Sequence, residues 1–163
     1  MSDVKSVIES GRAVLGIEFG STRIKAVLIG EDHAPIATGA HDWENMLVDG
    51  IWTYSLDMIW EGISDCYSKM AQDAKEKYGV TIKRLAAIGI SGMMHGYLPF
   101  DKEDNLLVPF RTWRNSTTGP AAAELSQLFS YNIPERWSIS HLYQAILNGE
   151  EHVDKIAYFT ISR

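Results

Sequence analysis

Three short clusters hold the side chains best suited to chemistry. The first lies in Leu15-Gly-Ile-Glu-Phe-Gly-Ser-Thr-Arg-Ile-Lys-Ala-Val-Leu-Ile29, where Gly20, Ser21 and Thr22 join two apolar runs and Lys25 follows. Glycine lets a backbone approach a ligand closely, and hydroxyl and amide donors suit phosphate oxygens. Glu18, at the end of the first run, adds a carboxylate able to hold a hydrated cation. The second cluster, Met93-Met94-His95, sits between Gly92 and Gly96. The third is Arg111-Thr-Trp113-Arg114-Asn115, which can hydrogen-bond to and stack on a polar ligand. Each has a plainer reading: Gly-Ser-Thr is ordinary turn chemistry, His95 a turn or core histidine, the methionines core filler, Trp113 a packing residue, Arg111 and Arg114 surface charges. Metal or hydrolase alternatives find less support. The five histidines are scattered, Cys66 is the single cysteine, and no Gly-x-Ser-x-Gly elbow accompanies Ser91 and His95.

The elements that must position these clusters follow from periodicity. Ala13–Phe19 and Ile24–Ile29 are short, bounded by glycine and rich in β-branched side chains, and Ala34–His41 reads as a third short strand, which together predict a three-stranded antiparallel meander. Residues 1–12 form a loose or short helical leader, and Asp42–Gly50 reads as a loop. From Leu56 to Tyr78, Ile59, Ile63, Cys66, Met70 and Ala74 recur at helical spacing, with Gly79 closing a long amphipathic helix. Leu85–Ser91 is almost wholly apolar, as expected of a central strand covered on both faces. It leads into Met93–His95, at the carboxyl end of a strand, where ligands of open α/β sheets gather. A second hairpin is expected around Lys102–Asn105 with Leu106–Phe110 returning. Helices are expected over Ala121–Tyr131, behind Gly119-Pro120, and over Ser140–Asn148 with Ser140 as cap; Ile156–Ile161 reads as a last strand.

The 163 residues suffice for one domain with a real core, and no run of about 18 apolar residues is present. A net charge of −6 disfavours a nucleic-acid backbone as partner, so phosphate would be held locally. The lone cysteine and the absence of a secretion-signal pattern fit a cytoplasmic protein, without a membrane partner.

Three segments, in order, resemble one family. Glu18-Phe-Gly-Ser-Thr-Arg-Ile-Lys25 is similar to the phosphate-binding hairpin of the sugar kinase, chaperone and actin superfamily, Asp-x-Gly-Thr-[Ser/Thr]-x-x-[Lys/Arg]. Ile90-Ser-Gly-Met-Met-His-Gly96 resembles the Gly-Gln-Met-His-Gly segment of xylulokinase-type FGGY carbohydrate kinases, and Trp113-Arg-Asn115 that family's Trp-Asn-Asp. The resemblance spans residues 14–163. It implies an α/β, actin-like (ribonuclease H-like) fold: a mixed sheet with a three-stranded meander and flanking helices, cut short at the C-terminus. Residues 13–163 would be part of the family's N-terminal domain, with the catalytic base and the adenine-binding domain beyond residue 163. Its implied reaction moves the γ-phosphoryl of ATP to a hydroxyl of a pentulose or similar sugar, with Mg²⁺. On matching positions, Gly20, Ser21, Thr22 and Lys25 would face the phosphates, Glu18 the metal through water, and Met94, His95, Trp113, Arg114 and Asn115 the sugar. Glu18 stands where the family has Asp, and Arg114-Asn115-Ser116 lacks the family's carboxylate. A non-catalytic sugar- or nucleotide-binding relative and an ATPase of the chaperone or actin branch are the alternatives, and a homo-oligomer is left open.

Overall fold

The computed structural model describes residues 3–161, which form two units. One comprises the residues up to Glu44 together with Leu56–Gly92; the other comprises Asn45–Ser55 and the residues from Met93 onward.

The first unit begins with α1 (Val4–Glu9), capped by the Asp3 carboxylate, which accepts from the Lys5 amide. Val7 and Ile8 are buried, so the expected leader packs as a short helix; its first two residues lie outside the described ones. β1 (Val14–Phe19), β2 (Arg23–Ile29) and β3 (Pro35–Asp42) form the expected antiparallel meander. α2 (Leu56–Tyr78) crosses back to β6 (Ala87–Gly92), which pairs parallel to β1 and gives a mixed sheet in the order β3-β2-β1-β6. Between β3 and α2 the chain belongs to the other unit, where β4 (Met46–Val48) and β5 (Ile51–Thr53) pair.

α2 packs on β2 and β3, setting Cys66, Met70 and Ala74 against Ile24, Ala26, Leu28, Ile36 and Ala37. Each side chain of this size, once buried, contributes about 1.5–3 kcal/mol, less for alanine. Cys66 is a free, buried core thiol, pushed up by that burial.

β6 departs from expectation. Among the described residues it is an edge strand, and Ile88 and Ile90 are each 58% exposed. An apolar run records a strand suited to burial, whereas actual burial requires packed neighbours, and only β1 adjoins β6 here.

The second unit holds the β4–β5 hairpin in place of the expected loop. Its turn is Asp49-Gly50, both in the left-handed region (φ 49° and 79°), the geometry that an Asp-Gly pair favours. β7 (Leu98–Phe100) pairs antiparallel with β8 (Tyr158–Thr160). On its other edge the expected hairpin returns: Phe100 bridges Leu106, Leu107 N–H donates to the Pro99 carbonyl at 3.0 Å, and Tyr97 bridges Arg111 just beyond. Asp101 closes that turn: its carboxylate accepts from the Glu103 and Asn105 amides, and its own N–H donates to the Asn105 carbonyl at 3.1 Å. α3 (Gly119–Phe129) starts at Gly119-Pro120, as expected. α4 (Ser138–Leu147) starts earlier than expected, behind Trp137. Ser140 is no cap: it lies inside the helix, buried, donating its hydroxyl to the Pro134 carbonyl at 2.9 Å. A short 3₁₀ turn, Val153–Lys155, precedes β8. Among the described residues no helix is long and apolar enough to cross a membrane.

Candidate functional site

In the first unit the hairpin register sets Glu18 directly opposite Lys25 on one face of β1 and β2. Lys25 Nζ lies 3.2 Å from Glu18 Oε2, with both side chains about half exposed, so the pair is screened and contributes at most about 1 kcal/mol. Beyond it, Gly20 N–H donates to the Arg23 carbonyl at 3.0 Å, closing the turn that presents Ser21 and Thr22 at the surface. A Cβ at Gly20 would stand 2.8 Å from that carbonyl oxygen, too close for any other residue without a backbone shift.

Trp43 fixes the turn from behind, a role that the sequence alone did not reveal. Its indole N–H donates to the Gly20 carbonyl at 2.8 Å, its amide donates to the Thr22 carbonyl at 3.1 Å, and its ring meets Phe19 at 6.2 Å. An open groove of about 480 Å³ runs along the same sheet face, past Gly16, Gly89, Glu18 and Lys25. Among the described residues no three carboxylate, histidine or cysteine groups converge as a metal cluster. Glu18 is the carboxylate nearest this turn, paired with Lys25.

In the second unit the backbone of Tyr97 pairs with that of Arg111 in both directions, at 2.9 and 3.1 Å. His95 and Trp113 each stand two residues from this antiparallel bridge, so both fall at the same end of it. His95 has φ 73° and Gly96 φ 102°. A left-handed histidine is uncommon, and such strain gathers at ligand sites. The His95 ring stacks on Trp137 (5.9 Å, 19°), and Ser138 Oγ donates to the Gly96 carbonyl at 2.6 Å, so the start of α4 braces the strained pair. Burial, and then the charge of Arg136, push the His95 pKa down, leaving a neutral imidazole that both donates and accepts at neutral pH. Met94 is 61% exposed and Trp113 41% exposed beside it.

The remaining residues of the third cluster divide into two kinds. Asn115 is 4% exposed, and its amide is committed to backbone: Nδ2 donates to the Trp52 and Thr112 carbonyls and Oδ1 accepts from Trp52 N–H, all at 2.9 Å. Arg114 lies over the Trp52 ring, its Cζ 3.9 Å from the centroid. Trp52, on β5, is thus a second residue missed from sequence. The Asp49-Gly50 turn signal, flanked by Met46-Leu-Val48 and Ile51-Trp-Thr53, was the clue to it.

Arg111 is not a surface charge. It forms a bidentate pair with Glu150, rests 5.5 Å from the Tyr97 ring centroid, and is mostly buried. Tyr97, pushed up to about 12 by burial, shares a 2.8 Å hydrogen bond with His152. His141, wholly buried, stacks on Tyr97 with neither ring nitrogen hydrogen-bonded. Through these contacts the side chains of both bridge residues are tied to α4 and to the segment Glu150–His152.

Residues 13–142 match the model of the N-terminal domain of the FGGY family of carbohydrate kinases. Among solved structures, the chain is similar to a xyloylose kinase from Brucella ovis (TM-score 0.76, 20% identity), over 91% of this chain and 32% of that one. It is also similar to gluconate kinase from Lactobacillus acidophilus (TM-score 0.75, 15% identity, 91% of this chain and 31% of that one). Glycerol kinase from Plasmodium falciparum, solved with ADP, gives a TM-score of 0.64 at 17% identity, over 88% of this chain and 30% of the other. The chain thus spans about a third of the length of these proteins. None of the curated proteins matches it at a significant level. The fold is that of the actin-like sugar kinases, and with the family model covering most of its residues the chain belongs to the FGGY family of carbohydrate kinases, through the N-terminal domain.

Proposed function

We propose that this chain supplies the sugar-holding side and the phosphate-facing hairpin of an ATP-dependent carbohydrate kinase acting on a hydroxyl of a pentulose or related sugar. The observation that carries the reading is His95: a neutral, strained imidazole, braced by Trp137 and Ser138 and set at the same end of the Tyr97–Arg111 bridge as the exposed Trp113. An uncharged imidazole can bond a sugar hydroxyl in either sense, and an exposed indole can cover the apolar C–H face of a sugar. Met94 adds apolar contact, and Asn115 acts as a positioning residue that fixes Trp52 under Arg114.

In the hairpin, the Gly20–Thr22 turn would take the terminal phosphates and Lys25 would offset their charge, which requires it to leave Glu18. The carboxylate released would then be free to receive a hydrated Mg²⁺, which reaches few protein ligands when phosphates supply the rest. ATP, when bound, supplies the phosphoryl group; catalysis of such transfers is mostly positioning and charge neutralisation. The reaction would be cytoplasmic, in keeping with the free thiol of Cys66.

The test is made on the complete kinase. His95→Ala is expected to raise the sugar KM at least tenfold while leaving the ATP KM within twofold. An equal rise in both removes His95 from the sugar pocket. The present chain alone is expected to form no sugar phosphate from ATP.

A further inference from the structure

Arg12, Arg23 and Arg111 each pair with a carboxylate, but among the described residues none lies within ion-pair distance of Arg114 or Arg136. Arg114 is nonetheless held. Its guanidinium sits over Trp52, and the Trp52 backbone is fastened by three bonds: to Asn115 Oδ1, from Asn115 Nδ2 and from Thr112 N–H. A guanidinium seated on an aromatic face keeps its N–H edges free for acceptors, and its planar fork matches a carboxylate or phosphate bidentately. The position matters as much as the charge. Arg114 directly follows Trp113, at the His95 end of the Tyr97–Arg111 bridge, and Arg136 adjoins Trp137, on which His95 stacks. Two cations unpaired by the protein therefore border the His95 corner, an arrangement that a neutral polyol does not call for.

We propose that Arg114, seated on Trp52, selects a sugar carrying an anionic group, either the carboxylate of a sugar acid or a phosphate ester already on the carbon chain. This rests on the reading of the His95 corner as the sugar-holding side. Arg114 makes the bidentate contact and Arg136 adds field without a fixed contact, so the preference should weaken with salt.

Calorimetric titration of the 163-residue chain with two matched series tests this: xylitol, xylonate and xylitol 5-phosphate, then glucitol, gluconate and glucitol 6-phosphate. One anionic class is expected to bind at least tenfold more tightly than the neutral polyol, and which class does so tells a sugar acid from a sugar phosphate. Arg114→Gln is expected to erase the preference, and Arg114→Lys, with charge but no fork, to keep only part of it. Should Arg114→Gln fail to fold, Trp52→Leu removes the seat instead and is expected to reduce the preference likewise. Equal binding of neutral and anionic members, or a preference that survives in folded Arg114→Gln, overturns the proposal while leaving the sugar-holding reading intact. Binding of none of the six overturns both.

Discussion

Asn115 grips the backbone of Trp52 from both sides: its Oδ1 accepts from Trp52 N–H and its Nδ2 donates to the Trp52 carbonyl, each at 2.9 Å. The contact joins residues far apart in the chain and ties the β4–β5 hairpin to the segment carrying Trp113 and Arg114. Replacing Asn115 by Ala leaves the Trp52 N–H without a partner, while the Trp52 and Thr112 carbonyls each keep a backbone donor, at a cost of about 1–3 kcal/mol. Asn115→Asp is expected to do no better, since a carboxylate cannot donate to the Trp52 and Thr112 carbonyls and is costly to bury. Urea unfolding of the two variants against the parent measures this; a loss under 0.5 kcal/mol (~0.5 counting as surface-like) would mean that the amide is dispensable.

His95 combines strain with its proposed role, so stability and binding should separate there. At φ 73° an L-residue pays about 1 kcal/mol that glycine does not. His95→Gly and His95→Ala both lose the Trp137 stack, but only Gly relieves the backbone. His95→Gly is therefore expected to be more stable than His95→Ala by about 1 kcal/mol, with sugar binding lost in both. Equal stabilities in denaturant would show that the surrounding turn, rather than the residue, carries the strain.

His141 gives the fold an acid weakness of definite sign. Burial, and then the charge of Arg111, push its pKa down to about 4, against an ordinary 6.5. The native imidazole thus stays neutral where the unfolded chain takes up a proton, so stability is full above pH 6.5, falls as the pH drops from 6.5 to 4, and loses on the order of 3 kcal/mol in total. Burial likewise lowers His95 and His152, which act in the same direction. His141→Leu removes two buried ring nitrogens without partners and is expected to flatten this acid limb by up to one proton. Chemical denaturation at pH 7, 5.5 and 4.5 reads the slope for both proteins; identical slopes would exclude His141 as the group responsible.

The parts of the fold legible in sequence were those set by local periodicity. The alternation in Val14–Ile29, with Gly20-Ser-Thr22 between, admits a hairpin, and a hairpin of that register necessarily opposes Glu18 and Lys25. The stripe Cys66, Met70, Ala74 required a long helix with one buried face. Where the reading failed, the deciding term was not local. β6 has the composition of a central strand, but its neighbours determine whether it is one. Leu106–Phe110 returns beside β7 through its local turn, but the other edge of β7 is taken by β8, more than fifty residues along the chain (Leu98 opposite Thr160), a pairing that no local signal announces. The β4–β5 hairpin was the exception, since Asp49-Gly50 announced it locally.

By itself the sequence determined which chemistries are present: a hydroxyl-bearing turn before a lysine, a histidine flanked by glycine and methionine, and a cationic Trp-Arg-Asn. Residue type and spacing fix donors, acceptors and charges before any folding occurs. Only the tertiary structure decided how those groups are used: Asn115 on the Trp52 backbone, Arg111 buried against Glu150, Arg114 exposed over an indole, His95 neutral beside Trp137. Hydrogen-bond partners, burial and local charge depend on residues distant in the chain, and these settle which polar groups are spent on the fold and which remain for a ligand.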